Sequence, residues 1–389
     1  MKKRKICIIT GSRAEWGLFY PLAREIRKND KFFRLQIIAT GPHLSPESGF
    51  TYREIEKAGF RIDRKEEMLA SGDTEEAVAR SVGSGITALA GALKALKPDL
   101  VLLLGDRFET FSAAAASFML KIPIAHLHGG ELTEGAIDDG IRHSITKMAS
   151  LHFTSTEIYR KRVVQMGESP DKVFNVGALG IDNVKRAKLL SKNGLEDRLG
   201  FKLGGKNILV TFHPVTLEKR KTSEKTFGNL LKALDELKGV KIIFTRPSSD
   251  MYSGSINSLI DLYVAKNRRK AACFTSMGRV VYLSAVRFMD AVAGNSSSGI
   301  IEVPCFGIPT VNIGDRQKGR ARPAAVIDCG GSYSSIKMAL DKAFSSAFRR
   351  SCGHAADLYG DGSAAGRIVD VIRRMDDLTV KKGFYEIDF

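Results

Sequence analysis

KICIITGSRAE, residues 5–15, carries most of the information about the fold. Four apolar residues in succession, Ile6, Cys7, Ile8 and Ile9, end at Thr10-Gly11, and a polar segment then leads into helix-like sequence. A short continuous apolar run of this kind reads as a strand buried on both faces of a parallel sheet. Comparable runs lie at 35–40, 100–104, 122–127 and 173–177, with helical patterns between them at 20–28 and 83–96. After a polar stretch at 182–203 the alternation restarts, with strand-like runs at 207–212, 240–245, 288–294 and 310–313. Two successive β/α series predict two doubly wound α/β domains. Ligands in such sheets sit beyond the carboxyl ends of the strands, which places the expected active site in an interdomain cleft. The expected divisions are 1–180, 181–365, and a C-terminal helix and tail over 366–389.

Length and composition agree with this reading. The 389 residues are 43% hydrophobic and 26% charged, as in a globular chain rather than a disordered one. No apolar run reaches the roughly 18 residues of a membrane span. The basic start, Met1 to Lys5, is followed by too short an apolar run for a signal peptide, so a cytoplasmic protein without a membrane partner is expected. The formal charge of +17 divides as +4 over residues 1–180 and +13 over 181–389. The basic residues are scattered without interleaved aromatics, which favours a small phosphate-bearing ligand over nucleic acid. Five widely spaced cysteines form no CxxC or Cys/His cluster and read as buried free thiols.

The segments after the strands hold the candidate chemistry. Thr10-Gly11-Ser12-Arg13 has too few glycines for a dinucleotide fingerprint. Asn295-Ser296-Ser297-Ser298-Gly299 precedes a helix-like run, so a phosphate can meet free N–H groups and serine hydroxyls there, with Glu302 one turn on for ribose hydroxyls. An ordinary capped helix is the alternative. Arg316 and Arg320 add nearby charge. Asp106, Glu131, Glu134, Asp138 and Asp139, with His128, His143 and His213, form an acidic and histidine-rich set suited to general acid/base work. Taken singly, each is as well explained by a salt bridge, as Asp106-Arg107 illustrates.

Several ordered blocks then carry a resemblance over nearly the whole chain. They are SRAEWGLFYPL from Ser12, TGPHLSPESGF from Thr40, LGDRFE from Leu104, HLHGGELTEGAIDDGIRHS from His126, HPVT from His213, GNSSSGIIEVP from Gly294 and NIGDRQKGR from Asn312. Together the blocks resemble the hydrolysing UDP-N-acetylglucosamine 2-epimerases of sialic-acid and related nonulosonic-acid biosynthesis. The resemblance implies a glycosyltransferase-B-like fold, a UDP-sugar substrate and a homo-oligomer, dimer or tetramer. It assigns UDP to Arg13, Arg107, His213, Ser296, Ser297, Glu302 and Arg316. It places Asp106, the Glu131 to Asp139 loop with Asp138, Arg142 and His43 around the sugar.

Two positions depart from the family pattern. Where animal and several bacterial members have a glutamate before the paired glycines, this chain has His128. Where they have Pro-Asn-x-Asp, it reads Pro247-Ser248-Ser249-Asp250, which implies a modified ligand contact at Ser248. In the family's reaction, UDP leaves C1 as the C2 proton is lost, giving a 2-acetamidoglucal. Water then adds to give the free 2-epimer. Inversion at C2 requires two proton-transfer groups, expected here to be Asp106 and Glu131, with His128 as the rival for Glu131. The expected substrate is UDP-N-acetylglucosamine. The alternatives are UDP-2,4-diacetamido-2,4,6-trideoxyglucose in the same reaction, or a non-hydrolysing 2-epimerase. No cofactor is expected to be required, since basic side chains can neutralise the diphosphate. An accessory Mg²⁺ is kept as the alternative.

Overall fold

A computed structural model describes residues 3–72, 74–134, 137–215, 220–247, 253–354, 358–375 and 378–387. The chain divides into two compact units, Met1–Glu131 with Asp138–Asn183 and Tyr359–Phe389, and Leu132–Ile137 with Val184–Leu358.

The first unit is built on seven parallel strands, β1 (Arg4–Thr10), β2 (Phe33–Thr40), β3 (Arg64–Glu66), β4 (Leu100–Leu104), β5 (Ile124–Leu127), β6 (Leu151–Thr154) and β7 (Val173–Asn175). They lie in the order β3-β2-β1-β4-β5-β6-β7. The second has six, β8 (Lys206–Thr211), β9 (Val240–Thr245), β10 (Ala271–Phe274), β11 (Ala291–Gly294), β12 (Thr310–Ile313) and β13 (Val326–Cys329), in the order β10-β9-β8-β11-β12-β13. Both orders reverse direction beside the first strand, between β1 and β4 and between β8 and β11. This is the Rossmann-type arrangement, in which the carboxyl-end loops on either side of the reversal are splayed apart and open to a ligand. The two doubly wound α/β domains expected from the alternation are therefore present.

Residues 6–10 of β1 are buried, because helices cover both faces of the sheet. The helix after it, Arg13–Lys28, starts at Ser12, whose hydroxyl accepts from the Glu15 N–H at 3.3 Å, and carries Arg27 and Lys28 in its last turn. Strands β3, β6, β10 and β13 escaped the sequence reading. Each is only three or four residues long, and β3 reads Arg64-Lys65-Glu66 at a sheet edge, where charge is tolerated. No disulfide joins any of the five cysteines. Cys7 and Cys352 are buried, and the other three are half-buried.

The chain returns to the first unit at Tyr359. Asp182, fully buried, caps the last long helix, Ala364–Arg374. Its two oxygens accept from the Ala364 and Ala365 N–H groups at 2.9 Å each. A carboxylate at a helix start satisfies orphan donors and favours the helix dipole. The apolar face of that helix, Ala365, Ile368, Val369 and Ile372, joins the core formed by Phe19, Leu22 and Ile26. Both Asp182 and the C-terminal helix therefore belong to the first unit.

Candidate functional site

In the first unit, β1, β2, β4, β5 and β6 each deliver polar residues from their carboxyl ends. At the centre is Arg142, on helix Asp138–Met148 and 1% exposed. Its Nη2 is ion-paired with Asp106 Oδ2, while Nη1 donates to Asp139 Oδ1 at 3.1 Å and to the Glu131 carbonyl at 2.8 Å. Burying a guanidinium is costly unless it is neutralised and hydrogen-bonded. One buried cation thus draws together the loop after β4, the loop after β5 and the start of the helix. Asp139 also lies 3.4 Å from His143 Nε2. Asp138 opens the same helix beside it.

His128 directly follows β5 and has a φ of +64°, unusual for a residue with a side chain. Its N–H donates to the Phe153 carbonyl at 2.8 Å. Its Nδ1 lies 2.9 Å from Glu131 Oε1, which also accepts from the Ser155 hydroxyl at 2.8 Å. Glu131 is buried. The other ring nitrogen of His128, Nε2, is buried and has no hydrogen-bond partner among the described residues.

Beside these lies a pair of buried carboxylates that the sequence reading did not single out. Glu15 Oε2 accepts from the Gly11 N–H at 2.5 Å and the Thr10 hydroxyl at 3.2 Å, and Oε1 accepts from Thr110 at 3.4 Å. Burial, offset in part by the Gly11 bond and reinforced by nearby Glu109, pushes Glu15 up to about 7. Glu109 takes a two-point contact from Arg107, with Nε to Oε2 at 3.1 Å and Nη2 to Oε1 at 3.2 Å. A side chain at Gly41, where φ is +54°, would run into Glu109. The Ser12-x-x-Glu15 spacing of a capping box was the available signal for Glu15. His43 is fully buried, with Nε2 3.2 Å from Thr10 Oγ1 and Nδ1 2.9 Å from Thr51 Oγ1. Burial pushes it down to about 3, so it is neutral, and both nitrogens are already engaged. Arg13 begins the first helix, where burial lowers its ordinarily high pKa and nearby Glu54 opposes the shift.

In the second unit the organising residue is Asn295, fully buried just after β11. Its Oδ1 accepts from the His213 N–H at 2.7 Å and its Nδ2 donates to the His213 carbonyl at 2.8 Å. Its own carbonyl accepts from Arg316 Nη1 at 3.1 Å and Gln317 Nε2 at 3.0 Å. The segments after β8, β11 and β12 are thereby joined, which brings His213 and Arg316 to the same edge as Ser296 and Ser297. The helix expected after the serines is only one turn, Ser298–Ile301, and no side chain among the described residues caps it. Asn295 is committed to His213, and the Ser298 hydroxyl meets Tyr282 at 2.7 Å. Glu302 closes that turn. Within the second unit, Glu134 is paired with Lys318 at 3.1 Å. Ser248 lies outside the described residues.

Among the described residues, no three His, Cys, Asp or Glu side chains are placed to hold a metal ion, and no helix is long and apolar enough to cross a membrane.

Known proteins match this chain closely. A family model described as UDP-N-acetylglucosamine 2-epimerase matches residues 24–373. A hydrolysing GDP/UDP-N,N′-diacetylbacillosamine 2-epimerase of Campylobacter jejuni is 46% identical over 350 residues, covering 90% of each chain. A hydrolysing UDP-N,N′-diacetylbacillosamine 2-epimerase of Legionella pneumophila is 31% identical over 95% of this chain and 96% of its own. Among solved structures, a Neisseria meningitidis UDP-GlcNAc 2-epimerase bound to UDP-GlcNAc has a TM-score of 0.79 at 18% identity, covering 95% of this chain and 99% of the other. At that identity the likeness concerns the fold, a glycosyltransferase-B-like pair of Rossmann-type lobes.

Proposed function

The chain belongs to the UDP-N-acetylglucosamine 2-epimerase family, and from that premise we propose that it is a hydrolysing 2-epimerase of a nucleoside-diphosphate-linked 2-acetamido sugar. The observation that carries the reading is the Arg142 cluster, which fixes Asp106 and Asp139 around one buried cation. The C2–H beside an acetamido group is barely acidic. Catalysis therefore has to combine proton removal with stabilisation of the departing diphosphate and of positive charge developing at C1. Asp106 and Asp139, each about one-fifth exposed, supply negative charge for an oxocarbenium-like C1, much as carboxylates do in glycoside hydrolysis. His213, Ser296, Ser297, Glu302 and Arg316 are assigned to the nucleotide. The first step breaks the C1–O bond to the diphosphate and the C2–H bond and forms the C1–C2 double bond. In the second, water gives hydroxyl to C1, and a proton reaches C2 on the opposite face.

The sugar we assign is the 2,4-diacetamido-2,4,6-trideoxy hexose, rather than N-acetylglucosamine. The Campylobacter and Legionella relatives, both named for N,N′-diacetylbacillosamine, support that choice. Purified protein is to be incubated separately with the UDP- and GDP-linked diacetamido sugars and with UDP-N-acetylglucosamine. Chromatography reads the freed nucleotide and NMR the C2 configuration of the freed sugar. The expected result is fastest release of UDP from the diacetamido nucleotide with inversion at C2. Faster turnover of UDP-N-acetylglucosamine would overturn the sugar assignment, and no release from any of the three would overturn the enzyme reading.

A further inference from the structure

On the premise of the 2-epimerase reading, we propose that His128 is the base that removes the C2 proton, and that Glu131 is a positioning residue that holds the imidazole with Nε2 free. Three observations support this. Nδ1 of His128 is 2.9 Å from Glu131 Oε1; with Glu131 ionised in the proposal, its carboxylate only accepts, which puts the ring hydrogen on Nδ1. Nε2 then carries the lone pair, and among the described residues it is buried with no hydrogen-bond partner. A buried polar atom left unsatisfied is costly and calls for an occupant. Finally, the φ of +64° is held by the His128 N–H bond to the Phe153 carbonyl of β6, and backbone strain of about 1–3 kcal/mol is concentrated at functional positions.

The surroundings of the ring favour this division of labour. Besides Glu131, β5 contributes His126, which burial pushes down to about 3 and keeps neutral. Helix Asp138–Met148 brings Arg142 to the Glu131 carbonyl and His143 to Asp139. Helix Glu157–Gln165 brings Arg162 to the Gly130 carbonyl at 2.5 Å. From β6 and its following loop come the Phe153 carbonyl and the Ser155 hydroxyl, and β6 also carries His152, which burial keeps neutral. Asp106, by contrast, is ion-paired with Arg142, which weakens it as a base and suits it to charge stabilisation. Glu131 is itself occupied by His128 and Ser155. In the step as drawn, the C2–H electron pair becomes the C1–C2 bond, the C1–O pair leaves with the diphosphate, and the proton moves to His128 Nε2. The resulting imidazolium is stabilised by Glu131. The proton delivered afterwards to the opposite face of C2 comes from a different group.

The test uses the full chain. Position 128 already has a φ that glycine adopts without strain, so His128→Gly is expected to fold. With the UDP-linked diacetamido sugar, its turnover should fall at least 10²-fold, the range expected for loss of a general base. Added imidazole should restore a substantial part of that loss. Glu131→Gln should lower kcat about 10-fold or more, leave KM within threefold and raise the isotope effect from deuterium at C2. Long-range ¹H–¹⁵N spectra of histidine-labelled protein without substrate should show the His128 ring hydrogen on Nδ1. Turnover of His128→Gly within threefold of the original, a loss that imidazole does not restore, or a ring protonated on Nε2 would overturn the proposal. Failure of the parent reading is distinct, because the unsubstituted protein would then release no nucleotide while the spectra still report the ring.

Discussion

The side-chain amide of Asn295 reads the main chain of His213 in both directions, accepting from its N–H at 2.7 Å and donating to its carbonyl at 2.8 Å. This two-point bond crosses between the adjacent parallel strands β8 and β11 just beyond their ends. It replaces the ladder bonds that stop there and fixes the backbone that presents His213. Asn295→Ala removes both of these part-buried bonds, at a cost of about 1–3 kcal/mol. Calorimetric titration should show UDP binding at least 10-fold weaker, with a lowered thermal midpoint. Asn295→Ala binding UDP normally would remove His213 from the nucleotide assignment.

Asp106→Asn keeps the shape but removes the charge facing Arg142. Asp139 and the Glu131 carbonyl still hold the guanidinium, so the protein is expected to fold and to bind UDP within a few-fold of the original. Steady-state UDP release should nevertheless fall at least 10²-fold, because the C1 charge loses its stabilising partner. Unchanged turnover would sink the role given to this cluster.

Glu15 predicts an alkaline loss of stability. Its carboxyl is raised from 4.5 to about 7 in the folded protein, so the folded state holds its proton more tightly than the unfolded chain does. The stabilisation is complete below about 4.5 and is lost as pH rises through 7. That interval corresponds to about 3 kcal/mol at most. Thermal unfolding at pH 5 and pH 8 should show the original protein losing ground relative to Glu15→Gln. A gap independent of pH would refute the shift.

Glu168 has the opposite sign. Burial alone would raise it, yet His152 at 3.0 Å and Lys147 and Lys382 at 2.6 Å each hold it at about 2. The stability it contributes is present above about 4.5 and is lost as pH falls toward 2. Glu168→Ala leaves a partly buried cation cluster without its anion and should cost about 3–5 kcal/mol at neutral pH. The penalty should shrink on acidification, as measured by thermal melts from pH 7 to 3. Lys382→Met should loosen residues 378–387, and faster amide exchange at Tyr385, whose N–H donates to the Gly167 carbonyl at 2.9 Å, would report it.

Treatment with EDTA followed by desalting is expected to leave UDP release unchanged, since the diphosphate is assigned to His213, Arg316 and main-chain donors. A loss restored by Mg²⁺ would replace that assignment.

The sequence by itself determined the two parallel sheets, because strands buried on both faces carry short continuous apolar runs, as at residues 6–9, 100–104, 208–210 and 242–244. It also located the carboxyl-end segments, since polar residues after such strands have no place in the core. Asp106, His128, Glu131, Arg142, His213 and Arg316 were legible as candidates on that ground. Their roles were not. A histidine and a glutamate three positions apart imply no particular bond until the loop after β5 turns them together and leaves Nε2 free. The sequence named Asn295 as a helix cap, whereas the parallel neighbour β8 supplies a better partner in His213. Glu15 and Glu109 lie in the first turns of helices that follow different strands, and only the sheet order places them side by side. The same is true of Asp182 and Ala364, which join the chain's end to the first unit across 182 positions. Apolar periodicity is a local property that every strand carries in its own residues. Hydrogen-bond partnership and burial of charge are properties of neighbours, and here those neighbours are set by the order of strands in the folded sheet.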